Sequence, residues 1–268
     1  MLVIASYLNR TPFGEESHPF FEFGWTEDGV VHWSHSVRVT QLGEFLFLLR
    51  REPGFADICR RLDGHNLRAA FFEANSAWTF KRRGFSIYAR KETGERGDDF
   101  DFEAVHGSLR VNVEVTAFEA PHFSRATVLN ALRHKRGQLP ADAPAIIVCV
   151  FPEAWLADVD VNQEFDSVTT EFLRSTGRVN HVEFVTERRV PLPDGTGGIF
   201  DIRRALATNH KSRFPSDLLE DLMVGPQVDP AMEQRVLSSR SLADVPIPES
   251  EFFAWVDWAI DGVVLKQT

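Results

Sequence analysis

Between Asp98 and Ala117 the chain reads DDFDFEAVHGSLRVNVEVTA, where carboxylates, a glycine turn and an alternating strand follow one another. Side chains alternate faces along a strand, so Asp99 and Asp101 are expected on one face and Phe100 and Phe102 on the other. After the turn at His106 to Ser108, Val111, Val113 and Val115 form one row, and Arg110, Asn112, Glu114 and Thr116 form the opposite row. A hairpin of this kind brings Asp101 and Glu114 together on adjacent strands as two hard oxygen ligands. Such a pair suits Mg2+, which binds through one or two carboxylates while keeping several waters and a substrate phosphate. Alternatively both are solvent-facing polar residues of an ordinary antiparallel pair.

Other elements must position this hairpin. From Asp63 to Gly84, Leu67, Ala70, Phe71, Ala74, Ala77 and Trp78 recur at spacings of three and four, the pattern of an amphipathic helix. It ends on the basic turn Lys81 to Arg83 and on Gly84, a residue suited to a left-handed stop. Glu73 sits at the border of its apolar stripe, where a surface glutamate is the ordinary explanation. Phe85 to Arg90 reads as a strand. Ser124 to Gln138 is a second helix, closed by Leu139 and Pro140, and Ala145 to Phe151 (AIIVCVF) is a strand buried on both faces.

This order, with these residues in these places, resembles the core of the PD-(D/E)XK nuclease superfamily over roughly Leu67 to Phe151. In that family a helical Glu, the Asp of the second core strand and the Glu of an ExK tripeptide hold a metal, while the Lys orients or activates the attacking water. Glu73, Asp101 and Glu114 match the three acidic positions, and the backbone carbonyl of Val115 matches the middle ExK residue. Thr116 stands where the lysine belongs; it can hydrogen-bond a water but supplies no positive charge. The next helix carries ALRHKRGQLP, similar to the Lys and Gln that many members have there, so Lys135 is the candidate for a lysine moved to another element, with Lys91 as a second. Alternatively Arg133 to Arg136 is a solvated charge run that complements the helix dipole.

The resemblance implies an α/β fold with a mixed central sheet flanked by helices, a restriction-endonuclease-like core with N- and C-terminal additions. It implies Mg2+ or Mn2+ at Asp101, Glu114 and Val115, with Glu73, Asp101, Glu114, Lys135 and Gln138 as catalytic residues. The activity implied is hydrolysis of phosphodiester bonds in DNA or RNA, in a defence or mobile-element system. The alternative is a catalytically degenerate member that serves as a binding or assembly subunit, motivated by Thr116 and by the acidity of the chain.

The bulk properties bound these expectations. At 268 residues, with 43 % apolar residues and 23 Phe, the chain can bury a sizeable core without disulfides. One α/β domain is expected, with strands and helices over 1–62, the nuclease-like core over 63–151, and an extension of the sheet and helices over 152–268. No apolar stretch approaches the ~20 residues of a membrane span, and MLVIASYLNR lacks a charged n-region, so a soluble cytoplasmic protein without a membrane partner is expected. Cys59 and Cys149 form no close-spaced metal pair and are expected as buried free thiols. A net charge of −10 opposes non-specific binding of nucleic acid. Basic pairs and triples nevertheless flank the hairpin, almost all Arg, which suits bidentate phosphate contacts. A protein partner or a second copy could supply the missing affinity.

The flanks carry less chemistry. Residues 1–40 alternate aromatic and polar positions and read as two or three strands, with a turn at Glu27 to Gly29. His32 and His35 would then point to opposite faces, which argues against a shared metal. Gln41 to Arg51 is a short helix broken at Pro53 and Gly54, and Phe55 to Leu62 is another. Glu164 to Ser175 reads as a helix, and Val179 to Thr186 and Ile199 to Leu206 as strands. The DGTGG between these strands lacks the Lys and Ser/Thr of a phosphate-binding loop and makes a turn. Glu249 to Ile260 is a terminal helix whose aromatic face either the core or a partner would cover. There is no GxSxG elbow, HExxH or dinucleotide fingerprint.

Overall fold

The computed structural model describes residues 2–8, 34–64, 66–91, 94, 97, 99–158, 160–191 and 198–224. Six strands join one sheet in chain order: β1 (Ser86–Ala89), β2 (Phe102–His106), β3 (Leu109–Ala117), β4 (Ala145–Val150), β5 (Val179–Pro191) and β6 (Gly198–Thr208). The β1–β2, β2–β3 and β5–β6 pairs are antiparallel, and β3–β4 and β4–β5 are parallel. This mixture follows from the connections. Gly107, at φ 60, opens the tight β2–β3 turn. Parallel neighbours need a crossover, supplied by α5 (Arg125–Gln138) between β3 and β4, and by α6 (Trp155–Asp158) with α7 (Val161–Arg174) between β4 and β5.

The opposite face carries α1 (Leu2–Tyr7), α2 (Ser34–Leu49), α3 (Phe55–Leu62), α4 (Leu67–Arg82) and α8 (Asp217–Val224). Each face has its own hydrophobic cluster. Val111, Val113 and Val115 of β3 pack with α1 to α4 and with Leu219 and Met223 of α8. Ile147 and Cys149 of β4 pack with α5, α7 and Trp155. β4 is therefore buried along its whole length, as its unbroken apolar run implies. The mixed α/β sheet agrees with expectation, and β5 and β6 extend it beyond the four core strands.

Two expectations are corrected. Ser34 to Thr40 belongs to helix α2, and Leu2–Tyr7 is helical as well, where strands are expected over 1–40. Val39, Leu42, Leu46 and Leu49 recur at helical spacing and are all buried, so packing of that stripe overrides the local alternation. Residues 9–33 with His18 and His32, the His35 side chain, the loop over 192–197 and the helix expected over 249–260 lie outside what is described. The second correction is that β2 begins at Phe102, so Asp99 and Asp101 precede the strand. Short carboxylates compete with sheet pairing by bonding nearby backbone. Asp99 Oδ1 accepts from Gly94 N at 3.2 Å and Asp101 Oδ2 from Val115 N at 2.7 Å.

The outer edge of β1 is sealed by the turn before α3. Glu52 Oε2 accepts from Ile87 N at 2.7 Å while its Oε1 lies 2.5 Å from Lys81 Nζ, and the Pro53 carbonyl accepts from Ala89 N at 2.9 Å. Gly54 makes this approach feasible: its φ is 81, and a Cβ there would lie 2.3 Å from the Ala89 carbonyl oxygen. Gly54→Ala is therefore expected to destabilise the fold by more than about 1 kcal/mol, read as a lower urea midpoint at unchanged slope. An unchanged midpoint would show that the turn relaxes freely.

Candidate functional site

The β2–β3 register pairs Phe102 with Val113 and His106 with Leu109. Carried one step further, it sets Asp101 across from Glu114. Strand alternation turns Glu114 away from the valine row and toward α5, where it is only 1 % exposed. A carboxylate so deeply buried requires a partner, and Lys135 of α5 donates to Glu114 Oε1. Ser124, whose Oγ accepts from Thr127 N at 3.4 Å, starts the helix that brings Lys135 there.

Val115 contributes through its backbone. Asn112 N donates to Pro144 O and Phe118 N to Val150 O, so the even-numbered amides of β3 point to β4. The amide and carbonyl of Val115 consequently face the β2 side, where the amide already binds Asp101 Oδ2. Gln138 and Asp99 clasp each other, with Asp99 N donating to Gln138 O and Gln138 Nε2 to Asp99 O, both at 3.2 Å. That clasp ties the end of α5 to the segment that carries Asp101.

Glu73 approaches from α4 but is already engaged. Arg61 Nε lies 2.9 Å from Glu73 Oε2, and Arg61 Nη1 donates to Arg90 O at 2.9 Å. Arg61 is a residue that sequence reasoning passes over, because a basic pair closing a short helix carries no signal of what it will touch. Thr116 is half-buried and Lys91 is exposed. The structure thus brings Asp101, Glu114, Val115 and Lys135 together, sets Glu73 beside them on an arginine, and assigns Gln138 to the clasp. Cys59 and Cys149 are free, and burial pushes both thiols up, so neither is a ready nucleophile.

The electrostatics follow from crowding carboxylates around one ammonium. Burial, then Asp101, pushes the Glu114 carboxyl up to about 9, with Lys135 pulling the other way and Glu73 adding to the rise. Burial also works against the charge on Lys135, but Glu114, Asp101 and Glu73 outweigh it and raise its value. Asp101 and Glu73 thus favour both the proton on Glu114 and the charge on Lys135. Among the described residues no three His, Cys, Asp or Glu side chains converge into an ion cage. Mg2+ asks for less, one or two carboxylates with waters. Glu114 Oε2 is buried without a hydrogen-bond partner, and an acceptor left in that state fits a cation bound by Asp101, Glu114 and the Val115 carbonyl.

A carboxyl raised on folding binds its proton more tightly in the native state, so its contribution to stability falls as pH rises from about 4.5 to about 9. In the presence of a chelator, the urea midpoint of the wild type is expected to drop between pH 5 and pH 9 more steeply than that of Glu114→Gln. Parallel curves would mean that Glu114 is ionised throughout.

No protein-family model matches the chain, and no curated protein matches it. Among solved structures, SfsA of Pyrococcus furiosus in complex with Ca2+ is similar at 11 % identity and a TM-score of 0.27, over 50 % of this chain and 62 % of that one. The chain thus spans less than two thirds of that protein, and a likeness at this level transfers no function.

Proposed function

We propose that the protein is a nuclease-like hydrolase of the PD-(D/E)XK plan, dependent on a divalent metal, Mg2+ or Mn2+, and acting on phosphodiester bonds of DNA or RNA. The observation that carries this is the contact of Lys135 with Glu114: a lysine from α5 stands beside the ExK glutamate, whose own tripeptide ends in Thr116. A cation bound by Asp101, Glu114 and the Val115 carbonyl would supply charge against the phosphate oxygens and lower the pKa of an attacking water.

The remaining work falls to the chain. The Val115 amide fixes Asp101 at 2.7 Å, so this carboxylate is preorganised. Lys135 has three donors on a flexible stem and spends one on Glu114. The others can turn to a water or a phosphate oxygen beside that carboxylate. Because its carboxylate neighbours raise its pKa, Lys135 stays charged at neutral pH. It is therefore a donor that stabilises developing negative charge rather than a base. Glu73, held by Arg61, acts from outside the metal ligands, orienting water. Gln138 serves by holding α5 against the Asp101 segment.

The test combines calorimetry with Mg2+ or Mn2+ and cleavage of single- and double-stranded DNA and RNA. Asp101→Asn and Glu114→Gln are expected to lose both metal binding and cleavage. Lys135→Gln should keep the heat of metal binding and lose about 100-fold or more in rate, the magnitude of one preorganised donor. A wild type that neither binds metal nor cuts would overturn the nuclease reading in favour of a binding or assembly subunit. No helix among the described residues is long and apolar enough to cross a membrane.

A further inference from the structure

Three segments meet at the end of the sheet where β4 and β5 begin: residues 131–141 at the close of α5, 174–178 between α7 and β5, and 209–216 after β6. Hydrogen bonds lace them together. Arg136 Nη1 donates to the carbonyl and to the hydroxyl of Ser175, both at 3.2 Å, and Arg178 donates back to the Arg136 carbonyl. Arg213 N and Ser212 Oγ donate to Gly177 O at 2.7 and 3.3 Å, and Asn209 Nδ2 donates to Thr176 O at 2.9 Å. Arg213 Nη2 reaches Ala141 O at 3.0 Å. Gly177 leaves room for the Arg213 stem, since a Cβ there would lie 3.1 Å from Arg213 Cγ.

These segments read ALRHKRGQLPA, RSTGR and NHKSRFPS, with seven Lys and Arg and no Asp or Glu, in a chain whose net charge is −10. Lys135 is engaged by Glu114 and Arg133 by Glu171. Arg136, Arg174, Lys211 and Arg213 form no ion pair among the described residues, and Asp142 and Asp217, at the borders, pair with none of them. Arg174, Lys211 and Arg213 are exposed and Arg136 is half-buried, so the excess positive charge faces solvent. Helix C-termini attract cations, which accounts for Arg136 and Arg178. It does not account for Lys211 and Arg213, which stand on a loop that follows a strand.

The surface borders the Glu114 site. Glu114 pairs with Ile147, two residues into β4, and α5 and α7 cover the same face of the sheet. Arg136 and Arg213 are held by neutral oxygens rather than carboxylates, so each keeps its charge and has further donors for a phosphate. Charges spread over three segments of an open surface suit a chain of phosphates better than one enclosed anion. The acidity of the remaining chain repels a polyanion elsewhere and steers it here. Resting on the nuclease reading above, we propose that Arg136, Arg174, Lys211 and Arg213 hold the sugar-phosphate backbone of the nucleic-acid substrate, which then passes the end of α5 to reach Lys135 and Glu114. Contacts to the backbone alone make this binding independent of base sequence.

Fluorescence anisotropy with dye-labelled single- and double-stranded DNA and RNA, in EDTA so that no cleavage intrudes, tests it. Wild type is expected to bind at least one of these four probes, with an affinity that falls as salt rises. The double variant Lys211→Gln, Arg213→Gln should weaken that binding about tenfold or more and lower the log–log salt slope by about two. Arg60→Gln, which removes an exposed arginine of α3 paired with Asp57, should leave both unchanged. No binding to any probe, or a slope that the double variant leaves untouched, overturns the inference, and so does binding to phosphatidylserine vesicles in place of nucleic acid. Should the double variant fail to fold by circular dichroism, Lys211→Glu serves in its place, because the Lys211 side chain bonds nothing among the described residues; unchanged binding by it is equally fatal. Binding that depends on Lys211 and Arg213 in a protein that never cleaves overturns the nuclease reading and leaves this surface standing. Cleavage by a protein whose binding is indifferent to both residues does the reverse.

Discussion

Glu114 is an ionisable side chain built into the middle of a sheet, and much of the surrounding structure answers to that. Burying a carboxylate costs several kcal/mol unless it is protonated or paired. Lys135 pairs one oxygen and the other has no hydrogen-bond partner. Asp101, set opposite by the β2–β3 register, makes the situation worse rather than better. A protein selected for stability alone would place an apolar residue at this position, as it does at Val113 and Val115 on the other face. The half-paired carboxylate is the kind of strain that accumulates at sites of chemistry.

The scaffold holds this arrangement from three directions. The sheet contributes Asp101, Glu114 and the backbone of Val115, which strand alternation and register place to within a residue. The crossover helix α5 contributes the cation and is anchored by its Ser124 cap at one end and by the Gln138–Asp99 clasp at the other. From the far face, α3 and α4 contribute Arg61 and Glu73, joined to each other and, through the Arg90 carbonyl, to the end of β1. Elsewhere on the sheet, Glu187 of β5 meets Arg38 of α2 at 3.7 Å.

Much of the hairpin was legible in the sequence because period-two alternation and a glycine turn are local signals. Val111, Val113 and Val115 face one way and Glu114 the other, as their alternation requires. The helix over α4, its stop near Gly84, and the doubly buried β4 were legible for the same reason. The start of β2 was not, because Asp99 and Asp101 bond to Gly94 and Val115, partners that only the folded chain defines. The N-terminal region misleads since VRVT alternates locally while the stripe from Val39 to Leu49 is helical, and the longer pattern wins by burying more surface. Lys135 could be named, but on sequence alone it was inseparable from a solvated charge run; only the packing of α5 on β3 sets it on Glu114. Arg61 and the Arg38–Glu187 pair join residues 12 and 149 positions apart, with no local pattern to announce them.

The clasp between Gln138 and Asp99 has a mechanical meaning. Both bonds run between the last residue of α5 and the segment leading into β2, so the element bearing the cation and the element bearing Asp101 are fastened at one point. Opening that point releases both at once. The last turn of α5 and the approach to β2 therefore form one unit of local unfolding, whose amides would exchange with solvent in step although they lie some forty residues apart in the chain.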